Sequence, residues 1–193
     1  MEIEINGKVI GVKLTYTDLE SLPEDGKRYE LHEGEVFVTA AARLDHQEFA
    51  LNLARMLEDF VKPRKLGKVY QAVDVYFTEE TTYTPDVVFV SAAHADRIRR
   101  KYIRGAPDLI VEIVSPTTEV RDRGIKFQDY ARYGVPEYWI LDAAARTAEV
   151  YVLRGTNYEL LARFGEKDTL RSEALPGLEI PLAEIGPSPL PQE

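Results

Sequence analysis

The run Leu109-Ile110-Val111-Glu112-Ile113-Val114 is apolar except for one glutamate, and it follows a second apolar segment, Pro85-Asp86-Val87-Val88-Phe89-Val90, that opens on an aspartate. Two carboxylates on neighbouring buried strands are the part of this chain best suited to chemistry. An ionised carboxylate withdrawn from water without a partner costs at least several kcal/mol, against the roughly 5–15 kcal/mol that holds a domain together. Glu112 therefore needs a neutralising partner, either a bound cation or a lysine. If the two strands are neighbours, Asp86 and Glu112 converge. Oxygen donors of this kind suit Mg²⁺ or Mn²⁺, which take one or two protein carboxylates and complete an octahedron with water and substrate phosphate. A cation so held offsets charge on the phosphate oxygens and activates water for attack on phosphorus. The plainer reading of Asp86 is a cap on the turn after Pro85. Gln71, a polar residue on the apolar face of Val69–Thr78, either lines the same cleft or is a hydrogen-bonded structural glutamine.

These residues need elements to position them. The N-terminal segment alternates around Asn6-Gly7, a dipeptide that favours a two-residue hairpin turn. Thr17-Asp18-Leu19-Glu20 has the spacing of a helix capping box, and Pro23 ends that short helix. Arg28-Tyr29-Glu30-Leu31 and Glu35-Val36-Phe37-Val38 flank Glu33-Gly34 as a second hairpin. Phe49, Leu53, Met56, Leu57 and Phe60 recur at helical intervals, which predicts a long amphipathic helix over Asp45–Val61 with Asp45 and Glu48 at its start. Three strands in succession follow: Val69–Thr78, the Asp86 segment and the Glu112 segment. Ser115-Pro116 stops the third, and one helix runs from Thr117 to Tyr133 before Gly134 closes it. Glu137–Asp142 is a further core strand, and Ala148–Leu153 with Tyr158–Phe164 forms a hairpin that extends the sheet. The order predicts an α/β fold, a mixed sheet covered by helices, over residues 1–185. A Pro-rich, poorly ordered tail occupies 186–193.

The chain of 193 residues carries a formal net charge of −9, no cysteine and three histidines. The absence of cysteine excludes disulfides and thiolate chemistry, and the few histidines favour hard cations. No apolar run is long enough to span a bilayer and the N-terminus lacks the order of a signal peptide, so the expected location is the cytoplasm without membrane attachment. The acidic balance argues against nonspecific coating of nucleic acid. A local basic patch is still available in Arg97-Ile98-Arg99-Arg100-Lys101-Tyr102-Ile103-Arg104, between the two acid-bearing strands. It reads either as a phosphate-backbone contact, through Arg97, Arg99, Arg100, Lys101 and Arg104, or as a solvated connection.

The order of helix, three strands, helix and strand, with an aspartate and then a glutamate in an apolar strand, resembles the PD-(D/E)xK restriction-endonuclease-like superfamily. There a lysine usually follows the glutamate by two positions. Here that position is Val114, and Lys126 on the following helix is the replacement the resemblance implies. More closely, Tyr29-Glu30-Leu31 with Glu33-Gly34-Glu35, His46, Pro85-Asp86, Ala106 through Pro116, Asp122, Lys126, Tyr130 and Glu137-Tyr138-Trp139 resemble the Uma-two family of bacterial endonucleases, from about Arg28 to Asp142. The resemblance implies a restriction-endonuclease-like mixed sheet flanked by helices, with the terminal hairpins as additions. It also implies an Mg²⁺- or Mn²⁺-dependent nuclease that hydrolyses phosphodiester bonds in DNA. Asp86 and Glu112 would be the metal ligands, and Lys126 would assist the attacking water or stabilise the phosphate. Glu30 and His46 are further site candidates, whereas Tyr130 and Trp139 read as packing residues. The plainer alternative for Lys126 is a pair with Asp122 or Tyr130 at one-turn spacing. The rival reading of the whole is a non-catalytic nuclease-fold module for nucleic-acid or protein binding. A third, a hydrolase of small phosphorylated substrates, would share the site. The exposed edge of the C-terminal hairpin makes a homodimer a further expectation.

Overall fold

The computed structural model describes residues 2–5, 8–11, 13–22, 25–39 and 42–186. The Asn6-Gly7 turn, Pro23 and the Pro-rich tail from 187 onward lie outside them. The flanks of the first hairpin, β1 (Glu2–Ile5) and β2 (Lys8–Gly11), pair antiparallel as expected. Helix α1 (Tyr16–Glu20) is capped two residues earlier than its sequence suggests. Thr15 accepts from the Asp18 backbone while the Asp18 carboxylate reaches back to Thr15, so the box is Thr15–Asp18 rather than Thr17–Glu20.

A six-stranded mixed sheet forms the centre. It is built from β5 (Gly67–Gln71), β8 (Val87–Ser91), β10 (Leu109–Val114), β11 (Glu137–Asp142), β12 (Thr147–Arg154) and β13 (Asn157–Phe164), in the order β13-β12-β11-β10-β8-β5. Only β10 and β11 run parallel, and parallel neighbours require a crossover, which here carries the two helices α3 (Glu119–Asp122) and α4 (Ile125–Arg132). The long helix α2 (Leu44–Val61) buries Phe49, Leu53 and Leu57 against Val87, Phe89, Leu109, Val111 and Ile113. The alternate residues Val88, Val90, Ile110 and Val114 face the other way, against Tyr130 and Tyr138. Both faces are covered, so β8 and β10 read as continuous apolar runs. Because side chains alternate along a strand, Glu112 shares the Ile110 and Val114 face, under α4.

A second, five-stranded sheet has the order β4-β3-β7-β6-β9. It comprises β3 (Arg28–His32), β4 (Glu35–Thr39), β6 (Asp74–Thr78), β7 (Thr81–Tyr83) and β9 (Tyr102–Arg104). The hairpin β3-β4 turns at Glu33-Gly34, with φ of 48° and 83°, as the sequence predicts. The single strand Val69–Thr78 does not exist. The chain leaves the first sheet after Gln71 and enters the second at Asp74, pivoting at Ala72, whose φ is 47°. The single helix Thr117–Tyr133 is likewise two, broken at Gly124, where a Cβ would stand 2.6 Å from the Val120 carbonyl oxygen. Beyond β13, a two-residue ladder of β14 (Thr169–Leu170) and β15 (Ile180–Pro181) leads into α5 (Leu182–Ile185) and buries Leu175, Leu178 and Ile185 in the α2 core. No helix among the described residues is long and apolar enough to cross a membrane.

Candidate active site

Asp86 stands immediately before β8, 4% exposed, and its carboxylate is held on three sides. Arg28 on β3 donates to Oδ1 at 2.9 Å, the Ile113 backbone N–H donates to Oδ2 at 2.8 Å, and His46 Nε2 stands 3.3 Å from Oδ2. His46 Nε2 is also 2.9 Å from the Ile113 carbonyl oxygen. Both neighbours of Nε2 accept, so this nitrogen carries the hydrogen.

Glu112 is 3% exposed, and its Oε1 accepts from Lys126 Nζ at 3.0 Å and from the Tyr130 hydroxyl at 2.7 Å. Lys126 is itself buried and stands 2.8 Å from Glu30 Oε1 and 3.5 Å from Asp122 Oδ1. Glu30 also accepts from the Thr84 backbone at 2.9 Å. The lysine missing at Val114 is thus replaced in space from α4, because Glu112 faces that helix. A second polar cluster anchors the same helix: Asp129 Oδ2 is 2.8 Å from His32 Nδ1 and accepts from the Tyr83 hydroxyl at 2.6 Å. Glu30, Asp86, Glu112 and Asp122, with Arg28, His46 and Lys126, line one cleft of about 560 Å³, with Arg43, Ser115, Thr118 and Arg121 at its walls.

The electrostatics divide the two strand acids. Burial alone would raise the Asp86 pKa, but His46 and Arg28 outweigh it and hold the carboxyl below its ordinary value. Glu112 goes the other way. Burial pushes it well above the carboxylate range, Asp122, Asp86 and Glu30 push it further, and Lys126 opposes them only in part. Asp122 is also raised, chiefly by burial. Lys126 loses charge preference to burial, yet Glu112, Glu30 and Asp122 more than restore it, and its pKa lies above the usual lysine value. Lys126 thus faces three buried carboxylates, Glu30, Glu112 and Asp122.

His46 and Asp86 give a pH signature. Burial lowers the His46 pKa, but the Asp86 carboxylate outweighs it, so the folded value lies above 6.5. A raised cationic group stabilises the fold fully below its unfolded pKa and loses that contribution as pH rises through the folded pKa. A depressed acid contributes above its unfolded pKa, here 3.8, and fades as pH falls through the folded one. The pair is thus at full strength between 3.8 and 6.5. The stability difference between wild type and His46→Gln, from urea denaturation, is expected to be largest in that interval and to shrink at more alkaline pH. A difference that stays constant on alkalinisation would contradict this reading.

Of the residues picked from the sequence, Asp86, Glu112, Lys126, Glu30 and His46 come together. Gln71 does not. It is exposed at the end of β5 and borders a separate shallow depression with Leu51, Arg55 and Glu58 of α2. The basic run does not line the cleft either. Antiparallel pairing puts Leu109 opposite Phe89, so the Ser91 end of β8, from which the run departs, adjoins the start of β10, far from Glu112. Ser91 lies five residues along the strand from Asp86, about 16 Å. There the Arg97 guanidinium donates to the Ala106 carbonyl, Arg99 to that of Asp96, and Lys101 pairs with Glu20 at 2.8 Å. Arg28 and Tyr130 were missed as site residues, and spacing could have found them: Arg28 shares a strand face with Glu30, and Tyr130 lies one turn beyond Lys126.

A sheet that takes its acids from the entry to β8 and from β10, and its lysine from the crossover between β10 and β11, places the chain in the restriction-endonuclease-like class of α/β folds. A solved structure agrees. The crystal structure from Anabaena variabilis ATCC 29413 described as "a putative nuclease belonging to DUF820" superposes with a TM-score of 0.74 over 89% of this chain and 97% of that one, at 20% identity. Within that class the chain belongs to the Uma2 family, whose model, described as "Putative restriction endonuclease", matches residues 16–183. Membership supports a nuclease-like function. A relative in Synechocystis sp. (strain ATCC 27184 / PCC 6803 / Kazusa), "Uncharacterized protein slr1290", is 21% identical over 150 residues, 77% of this chain and 78% of the relative.

Proposed function

We propose that the protein is a divalent-cation-dependent nuclease that hydrolyses phosphodiester bonds in DNA. The observation that carries the reading is the Lys126 ammonium 3.0 Å from Glu112, on the side of the sheet where Asp86 also opens into the cleft. The donors fit a hard cation, Mg²⁺ or Mn²⁺. Asp86, Glu112 and the Ile113 carbonyl offer only oxygen, and Glu112 is a buried acid whose ionisation calls for more positive charge than Lys126 supplies. No three such side chains among the described residues are grouped to hold a metal by themselves. A cation that keeps most of its waters and takes two carboxylates needs no such cage. When bound, the cation supplies charge against the phosphate oxygens and acidifies water.

The chain's own residues do the rest. Lys126, kept protonated by three carboxylates, is unsuited to take a proton from water and instead donates to a phosphate oxygen. Arg28, His46 and the Ile113 N–H fix the Asp86 carboxylate. Tyr130 orients that of Glu112.

Thermal melting with and without Mn²⁺ tests the site. The wild type is expected to melt higher with Mn²⁺, by the mass-action stabilisation that any ligand of the folded state gives, and Glu112→Ala to lose most of that shift. Absence of a shift, together with no cleavage of supercoiled, linear or single-stranded DNA, would favour a non-catalytic module on the same fold.

A further inference from the structure

The cleft's cations are not equally engaged. Arg28 is bound to Asp86 and Lys126 to three carboxylates. Two arginines on the walls are not so committed. Arg121 on α3 donates to the Thr39 hydroxyl at 2.6 Å, lies 5.4 Å from the centre of the Phe37 ring, and has its nearest acid, Glu30, at 3.8 Å. Glu30 is meanwhile held by Lys126 and the Thr84 backbone, so among the described residues most of the five Arg121 donors are unspent. Arg43, immediately before α2, has a side chain 87% exposed and among the described residues an ion pair with Asp45 alone, at 3.6 Å, a solvated contact of little strength. The helix break decides the aim of Arg121. In one continuous helix, residues 121 and 126 would point about 140° apart. The turn at Gly124 lets both line the same cleft.

We propose that Arg121 and Arg43 grip the phosphodiester backbone at the mouth of the cleft, the task the charge pattern suggested for Arg97–Arg104. Arg121, held by Thr39, is the inner contact and Arg43 the exposed outer one. The inference rests on the nuclease reading and locates its substrate contacts. Arginine suits the role because its planar fork meets phosphate oxygens in pairs.

Fluorescence anisotropy of a labelled single-stranded DNA and of its duplex, in EDTA so that the strands stay intact, reads the grip without catalysis. The logarithm of the binding constant is expected to fall linearly with the logarithm of salt concentration. Arg43→Ala and Arg121→Ala should each flatten that slope by about 0.7–0.9, the contribution of one phosphate contact. Arg121→Lys should recover part of the loss, while Arg99→Ala/Arg100→Ala leaves the slope unchanged. With Mn²⁺ present, Arg43→Ala should raise KM and spare kcat. A folded Arg43→Ala/Arg121→Ala protein with the wild-type slope, or a slope flattened only by the Arg99 and Arg100 changes, overturns the grip and leaves the nuclease reading intact. So does a wild type that cuts DNA with Mn²⁺ but shows no salt-dependent binding. A protein that neither binds nor cuts overturns both.

Discussion

Lys126→Met is expected to destabilise the protein by about 3–5 kcal/mol, the usual consequence of removing one partner from a buried ion pair. The residue is 5% exposed and is the common contact of Glu30, Glu112 and Asp122, at 2.8, 3.0 and 3.5 Å. Methionine fills much of the volume but leaves three carboxylates facing one another. The deficit should narrow as the solution is acidified, because Glu112 and Asp122, already raised by burial, then take up protons and cease to repel. Urea denaturation at mildly alkaline and mildly acidic pH measures both effects. A loss under about 1 kcal/mol, the range of solvated ion pairs, would place Lys126 on an open helix face instead.

Glu112→Gln is expected to lower DNA cleavage by at least about 10³-fold, equivalent to about 4 kcal/mol of transition-state stabilisation, while leaving thermal stability equal to or above that of the wild type. The two effects separate because the folded protein already disfavours charge on this buried group, so a neutral isostere suits the fold even as it removes a ligand. Asp86→Asn should match the loss of activity and also lose stability. Its amide would turn a donor toward either the Arg28 guanidinium or the Ile113 N–H, both of which donate to the carboxylate. Plasmid nicking with Mn²⁺, run beside thermal melts, distinguishes the pair. Glu112→Gln retaining more than about a tenth of wild-type activity would remove that residue from the chemistry.

The centre of the site was legible because it violates a rule. An acid inside an apolar strand is conspicuous, and period-two alternation then determines which helix must answer it. Where the sequence misled, the backbone did something no residue type announces. Ala72 takes a left-handed conformation that alanine seldom adopts, and the alternating pattern runs unbroken across it, so Gln71 reads from the sequence as a cleft residue or a structural glutamine, whereas it stands exposed at the end of β5. Gly124 inside a helical pattern is ordinarily tolerated, which hid the break that turns Arg121 inward. The basic run drew attention through density alone, whereas the cleft's cations come singly from β3, α3, α4 and the approach to α2. Helix α5 was missed because four residues carry no period.

The long-range ties of Asp86 also govern when the site can exist. Its bond to Arg28 spans 58 residues, and the His46 bond to the Ile113 carbonyl spans 67. A nascent chain that has left the ribosome only as far as β10 possesses both strand acids but has neither Lys126 to neutralise Glu112 nor β11 to complete the pairing of β10. The cleft therefore cannot assemble before α4 and β11 have emerged, and a product truncated after β10 keeps the acids without an assembled site. For a protein proposed to cut DNA, the order of translation itself withholds activity until the crossover helix and the strand after it are in place.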